Sequence, residues 1–279
     1  MLIFIVPYRD REQQMLFFNK HMSENILEDE NDFRILFIHQ KDERPFNRGA
    51  MKNIGFLVVK DLYPDNYKDI TLVFNDVDCL PYTKNFIDYK TKTGIVKHFF
   101  GFKFALGGIL SIKANDFEKV NGFPNLWTWG YEDNELNDRI NENPDIIIDR
   151  NQFYEIRDRN ILHVADGISK IRNKLEQFRY LKQRTSEGIS DINDLKYSFN
   201  NNIVDVTEFN TAVTAPTWEE MEISNRNQAD FISDKKKEKT DYMIYEEFAE
   251  KLPEKPQYQI KKYNNSKIGM SWLEEDVTY

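Results

Sequence analysis

The chain has 279 residues, enough for one large domain or one domain with an appendage. Apolar residues make up 40%, which allows a sizeable core, and a net charge of -9 excludes the broad basic face needed for non-specific binding to DNA, RNA or anionic membranes. One cysteine, Cys79, rules out an intrachain disulfide and points to a reducing compartment.

Residues 2–6 are an apolar run closed by Pro7 and read as a buried strand. The run is far too short for a membrane span and lacks the basic flank of a signal peptide. No other window approaches ~20 apolar residues, so a soluble cytoplasmic protein is expected. Residues 12–27 carry helical spacing, with Met15, Phe18, Met22 and Ile26 on one face. A second strand follows at 34–39, then a helix at 48–62 with Met51, Ile54, Val58 and Leu62 inward. A third strand at 70–74 ends at Asn75-Asp76-Val77-Asp78. This alternation implies a parallel α/β sheet with right-handed crossovers. Ligands bind outside the carboxyl ends of such strands, where Tyr8 to Arg11, Phe46 to Arg48 and Asp76 to Asp78 all fall.

Further along, 94–100 and 107–113 are strand-like, 116–120 is a short helix closed by Gly122, and 132–140 is an amphipathic helix opened by acidic residues. A short strand is expected at 146–148, a helix at 170–183 with Ile171, Leu175, Phe178 and Leu181 inward, and an extended segment at 200–213. The composition shifts after Ala215, with a charged run at 234–239. The expected organisation is a catalytic domain over 1–215 and a small C-terminal extension over 216–279.

Asp76-Val77-Asp78, just after a buried strand, forms a DxD pattern. Hard divalent cations prefer oxygen ligands, and such a cation can bridge a carboxylate to a diphosphate. Taken alone, the motif fits a polar turn equally well. Arg9, Arg11 and Arg48 suit phosphate or ribose oxygens, and singly each also suits a solvated surface. Trp127 to Glu135 joins aromatic faces, on which sugars stack, to carboxylates that can accept a hydroxyl proton. The alternative is two core tryptophans followed by an acidic helix start. His163 suits Mn²⁺ or Zn²⁺ as a ligand, or a structural role.

Taken in order, VPYRDREQ, FNRGAMKNIGF, FNDVDCLP, GGILSI, NGFPNLWTWGYEDNEL and a late histidine resemble the beta-1,4-galactosyltransferase family (glycosyltransferase family 7) over about residues 2–213. The resemblance implies a GT-A fold with a mostly parallel central sheet flanked by helices. It also implies an inverting transfer from a Mn²⁺-bound UDP-sugar to a saccharide or glycoconjugate acceptor. Pro7, Tyr8, Arg9 and Arg11 would contact the uridine diphosphate, with Phe46 and Arg48 near uracil and ribose. Asp76 and Val77 would touch the nucleotide, and Ala105, Gly107 and Gly108 would line the donor site. Glu132 would hold donor-sugar hydroxyls and Asp133 would be the catalytic base.

Within the family's WGWGGEDDD stretch, Trp129 keeps the acceptor-stacking position, while Tyr131 and Asn134 are departures beside it. Asp78, His163 and Asn160 would hold the metal. Asn160 replaces a methionine of many animal members, and its harder oxygen makes Mg²⁺ better tolerated. Ala105 replaces the tyrosine of galactose-specific members, which opens room for N-acetylgalactosamine. Two other readings stay open: a transferase using UDP-GlcNAc or UDP-glucose, and a silent sugar-binding protein.

Overall fold

The computed structural model describes residues 1–164, 169–182 and 185–225. Residues 1–164, 169–177 and 185–225 belong to one compact unit. The charged run at 234–239 and most of the expected extension lie outside the described residues.

Strand β1 (Leu2–Tyr8) is buried at every position. It lies between two parallel neighbours, β2 (Phe33–Gln40) and β3 (Thr71–Asn75). A strand covered on both faces reads as a continuous apolar run, as this one does. Alternation sends Ile3 and Ile5 into one apolar cluster and Phe4 and Val6 into another. The β1–β3 ladder ends at Ile5 and Phe74, so Pro7, which has no N–H, lies beyond it.

Helix α1 (Glu12–His21) buries Met15 and Phe18 against the second cluster, and a single π turn at Met22–Ile26 continues the same face. Helix α2 (Arg48–Leu62) opens at Asn47, whose side chain accepts from the Ala50 amide at 2.9 Å. That is the N-cap chemistry of asparagine. Gly55 lets α2 approach β1, since a Cβ there would come within 2.4 Å of Ile5.

The remaining strands, in chain order, are β4 (Cys79–Pro81), β5 (Ile95–Gly101), β6 (Ile109–Lys113), β7 (Ile147–Asp149), β8 (Tyr154–Glu155), β9 (Ile161–His163), β10 (Ser169–Arg172), β11 (Asn193–Asn200), β12 (Ile203–Asn210) and β13 (Glu222–Asn225). The remaining helices are α3 (Ala114–Lys119), α4 (Glu132–Glu142) and α5 (Lys174–Lys182). The main sheet runs β11-β12-β2-β1-β3-β6-β5-β7, with β8 also on β5. It is mostly parallel, but β6 runs antiparallel to both β3 and β5, and β11–β12 is a hairpin.

One expectation needs correcting. Residues 170–172 are not helical: they lie in β10, which pairs with β13. Asn173 starts α5 instead, accepting at Oδ1 from the amides of Leu175 (2.9 Å) and Glu176 (3.1 Å). Leu175, expected inward, is 56% exposed. The segment at 200–213 is extended as expected and carries β12, half of a hairpin whose other strand, β11, alternates Leu195, Tyr197 and Phe199 with polar residues. The compact unit also continues past Ala215, because β13 belongs to it. No helix among the described residues is long and apolar enough to cross a membrane.

Candidate active site

The DVD turn is built by its neighbour. Asn75, the last residue of β3, donates from Nδ2 to the carbonyls of Asp76 (2.8 Å) and Cys79 (2.7 Å). The Asp76 amide donates to the Gly108 carbonyl at 3.0 Å, and the Cys79 amide returns to the Asp76 carbonyl at 3.1 Å. From this turn the two aspartates meet different partners.

Asp78 joins β4 and β9. These strands pair antiparallel with Cys79 opposite His163, and the Val164 amide donates to the Asp78 carbonyl at 2.8 Å. Asp78 Oδ2 lies 3.8 Å from His163 Nε2. One ligand atom each from Asp78, Cys79 and His163 fall within 4.8 Å of one another. Burial, and then the charge of Asp76, push the Asp78 carboxyl up. A divalent cation would reverse that shift, and carboxylate with imidazole is a donor set suited to Mn²⁺. The Cys79 thiol is pushed well up by burial and donates to Asp78 Oδ1 at 3.2 Å. It is held as a thiol, whereas metals take the thiolate.

Asn160 directly precedes β9. Its amide nitrogens, main-chain and side-chain, donate to Asp158 Oδ1 at 2.8 and 2.9 Å. Its carbonyl accepts from the Tyr82 amide at 3.1 Å, three residues along the ladder from His163.

Asp76 turns to Arg48. The Arg48 guanidinium donates from Nη2 to Asp76 Oδ1, and from Nη1 to Glu132 Oε1 and to Asp133 Oδ2, the last at 2.9 Å. Lys52 donates to Asp133 Oδ1 at 2.6 Å. Burial raises the Glu132 carboxyl, and the adjacent Asp133 charge raises it further. Burial acts on Asp133 in the same sense, but Arg48 and Lys52 outweigh it and hold that carboxyl below its ordinary range. Arg48 loses by burial and gains more from Asp133, Asp76 and Glu132, so its proton is held more tightly than usual. Glu132 Oε2 is buried without a hydrogen-bond partner among the described residues.

The glycine pair explains how Asp133 fits. The Leu106 amide donates to the Asp133 carbonyl at 2.8 Å. A Cβ on Gly107 would lie 2.4 Å from Asp133 Oδ2, and one on Gly108, at φ +69, would lie 2.4 Å from the Phe100 carbonyl. Beneath them, buried His98 faces the carbonyls of Phe100 and Gly107 through Nε2, each at 3.1 Å. Arg150 Nε donates to its Nδ1 at 3.1 Å, which fixes the proton on Nε2.

The structure thus brings Arg48, Asp76, Gly107, Glu132 and Asp133 together, with Gly108 holding the Asp76 amide. Other expected residues have different surroundings. Arg9 donates to the main-chain carbonyls of Asp42 (2.7 Å) and Arg44, so it braces the loop after β2. Arg11 is the N-cap residue of α1. Pro7 and Tyr8 are buried in β1, and Tyr8 packs on His39 with ring centroids 4.9 Å apart. Phe46 packs against the first cluster, Val77 lies within the second, and Ala105 is buried.

Trp127 is core: it stacks on Phe209 and donates from Nε1 to Thr211 and Val213. Trp129 is half-buried, with Lys170 Nζ 4.3 Å from its ring centroid. Tyr131 precedes α4 in a left-handed conformation, φ +71. The buried amide of Asn134 donates to the Phe104 carbonyl at 3.4 Å. Sequence reasoning passed over Lys52, Asn75 and His98. Only Lys52 carried a signal, a cation four residues after Arg48 within an otherwise apolar helix face.

Two family profiles match the chain. The N-terminal region of glycosyl transferase group 7 matches residues 1–90, and the N-terminal domain of galactosyltransferase matches 97–162, together more than half of the chain. The chain belongs to the glycosyltransferase group 7 family. Among similar proteins, beta-1,4-galactosyltransferase 5 of Mus musculus is 28% identical over 206 residues, 70% of this chain and 51% of that protein. Xylosylprotein 4-beta-galactosyltransferase of Caenorhabditis elegans is 34% identical over 148 residues, half of each. The chain spans about half the length of these curated relatives.

Two solved structures of the Drosophila beta-1,4-galactosyltransferase 7 are also similar, each matched over 74% of this chain and 93% of that one. The catalytic domain with xylobiose has a TM-score of 0.58 at 21% identity, and a mutant with manganese, UDP-Gal and xylobiose has 0.55 at 23%. The architecture is the GT-A fold.

Proposed function

We propose that the protein is a metal-dependent inverting glycosyltransferase. It moves galactose or N-acetylgalactosamine from a UDP-sugar to a hydroxyl of a saccharide acceptor. The observation that carries this reading is the meeting of Asp133, Glu132 and Asp76 on Arg48, next to the Asp78–His163 pair. The relatives named as galactosyltransferases, and the Drosophila structure with manganese and UDP-Gal, support it.

Asp133 takes the proton of the acceptor hydroxyl. The acceptor oxygen attacks the anomeric carbon from the face opposite UDP, and the bond from that carbon to the phosphate oxygen breaks, its electron pair leaving with UDP. Glu132 Oε2, buried and without a partner among the described residues, suits a donor-sugar hydroxyl. Asp76 would contact the nucleotide, and Trp129, Tyr131 and Asn134 the acceptor. Asp78 and His163 would hold Mn²⁺, with Mg²⁺ as a substitute. The ion, when bound, supplies positive charge against the departing diphosphate. The cytoplasmic setting rests on the single, buried cysteine.

UDP is expected to raise the Tm only with Mn²⁺ or Mg²⁺ present. At a hundredfold excess over Kd the gain is about 2.7 kcal/mol, or roughly 5–10 °C for a domain of this size. Equal stabilisation in EDTA would remove the metal from Asp78 and His163.

Donor choice rests on buried Ala105, one residue before Leu106, whose amide holds Asp133. A UDP-release assay across donor sugars should show UDP-GalNAc turned over at least as well as UDP-Gal. Ala105→Tyr should reverse that order by filling the space. Preference for UDP-GlcNAc or UDP-glucose would favour the other transferase reading. No release with any donor would favour the silent one.

A further inference from the structure

Lys52 follows Arg48 by one helical turn on α2, so the two cations share a face. Its ammonium is buried, donates to Asp133 Oδ1 at 2.6 Å and stands 4.2 Å from the Phe123 ring centroid. Lysine is almost never fully buried unless paired. An apolar residue of similar volume would often serve stability as well or better at such a place. Burying a charge there therefore calls for a reason beyond packing.

That reason lies in how the carboxylate is divided. Oδ1 meets Lys52, on the buried side. Oδ2 meets Arg48, which keeps 19% of its side chain exposed, and faces Gly107, where no Cβ intrudes. A carboxylate held at one end cannot swap its oxygens by rotating about Cβ–Cγ without breaking a buried charge-assisted bond.

We propose that Lys52 is a positioning residue for the transfer: it fixes Asp133 through Oδ1, so that Oδ2 is the oxygen presented to the acceptor hydroxyl. The proposal rests on Asp133 being the base. Lys52 also adds charge to the site. Arg48 and Lys52 face Asp133 from α2, Glu132 stands beside it on α4, Asp76 shares Arg48 from the end of β3, and His98 lies nearby on β5. Burial lowers His98 to about 4, so it is neutral near neutrality, and its own protonation in acid is common to the parent and the Lys52 variants. Removing the Lys52 charge raises the Asp133 carboxyl. A base must be deprotonated to act, so the acid limb of activity moves to higher pH.

The test uses the full chain with Lys52→Met and Lys52→Gln, measuring UDP release and transfer across pH. Methionine fills the space without a donor, whereas glutamine keeps a neutral donor. Lys52→Met should lower kcat at least about tenfold, as misplaced catalytic groups do, with the KM for the UDP-sugar little changed. Its acid limb should move up by roughly one pH unit or more. Lys52→Gln should recover much of kcat but keep the displaced limb. A packing role predicts the reverse: methionine tolerated better than glutamine, and one pH profile for all three proteins. That result overturns the proposal and leaves the base assignment standing. If Lys52→Met does not fold, the Lys52→Gln profile decides alone, and an unmoved acid limb overturns it. Turnover in Asp133→Asn would instead remove the base, and the proposal with it.

Discussion

Asp133→Asn is expected to lower transfer by about 10²- to 10⁴-fold, the usual contribution of a positioned general base. UDP binding with metal should be nearly unchanged. The variant loses the group that takes the proton but leaves Asp76, Asp78 and His163 as they are. Asparagine keeps one carbonyl oxygen, so Lys52 or Arg48 retains an acceptor, and Arg48 still pairs with Glu132 and Asp76. The measurement is kcat beside a UDP titration on the same preparation. Retained turnover would take the base role away from Asp133, and lost UDP binding would mean a wider collapse of the site.

The same substitution has a pH signature in stability. Burial would raise Asp133, but Arg48 and Lys52 prevail, so its folded value lies below its unfolded one. A carboxylate shifted this way contributes stability that is full above the unfolded pKa, about 3.9, and lost as pH falls through the folded value. Asparagine carries none of it. Parent and variant should therefore differ in urea melts near neutrality and converge at strongly acidic pH.

The residues that touch in this site were visible in sequence as separate blocks, and their contacts were not. Strand periodicity put Asp76 after a buried run, and the ordered blocks put Glu132 and Asp133 at a helix start, where the structure has them. Nothing in the spacing says that Arg48 reaches across 84 residues to Glu132, because such pairing depends on how α2 and α4 pack. Gly107 is similar. A glycine pair is obvious in the chain, but its purpose appears only when Asp133 Oδ2 occupies the volume a Cβ would need.

Where prediction failed, local signals competed with tertiary ones. Residues 170–172 fit a helical period, yet β13 pairs with them and Asn173 caps the helix behind them. Trp127 and Trp129 look alike in sequence. One is sealed against Phe209 and the other lies under Lys170, a difference set by β10 and β12.

Arg48→Met should cost the fold more than any other change in the site. Removing one partner of a buried ion pair typically destabilises by about 3–5 kcal/mol, because the remaining charge is left uncompensated. Arg48 serves three carboxylates, and with it gone Lys52 is the one cation among the described residues left against Asp76, Glu132 and Asp133. Its residual exposure of 19% lets some water in, so about 3 kcal/mol is the expected loss near neutrality. The loss should shrink as pH falls. Without Arg48 the Glu132 carboxyl, already raised by burial, rises further, and a group raised in that way favours the folded state once protonated. Glu132→Gln on the Arg48→Met background should then restore part of the stability at neutral pH, since it removes the most deeply buried of the three charges. On the parent background, where Arg48 is present, the same change should not stabilise. Urea melts of the four proteins at two pH values give the coupling. Additive effects, or a deficit that does not change with pH, would mean that Arg48 stabilises the domain through packing and not as the shared counter-charge of the site.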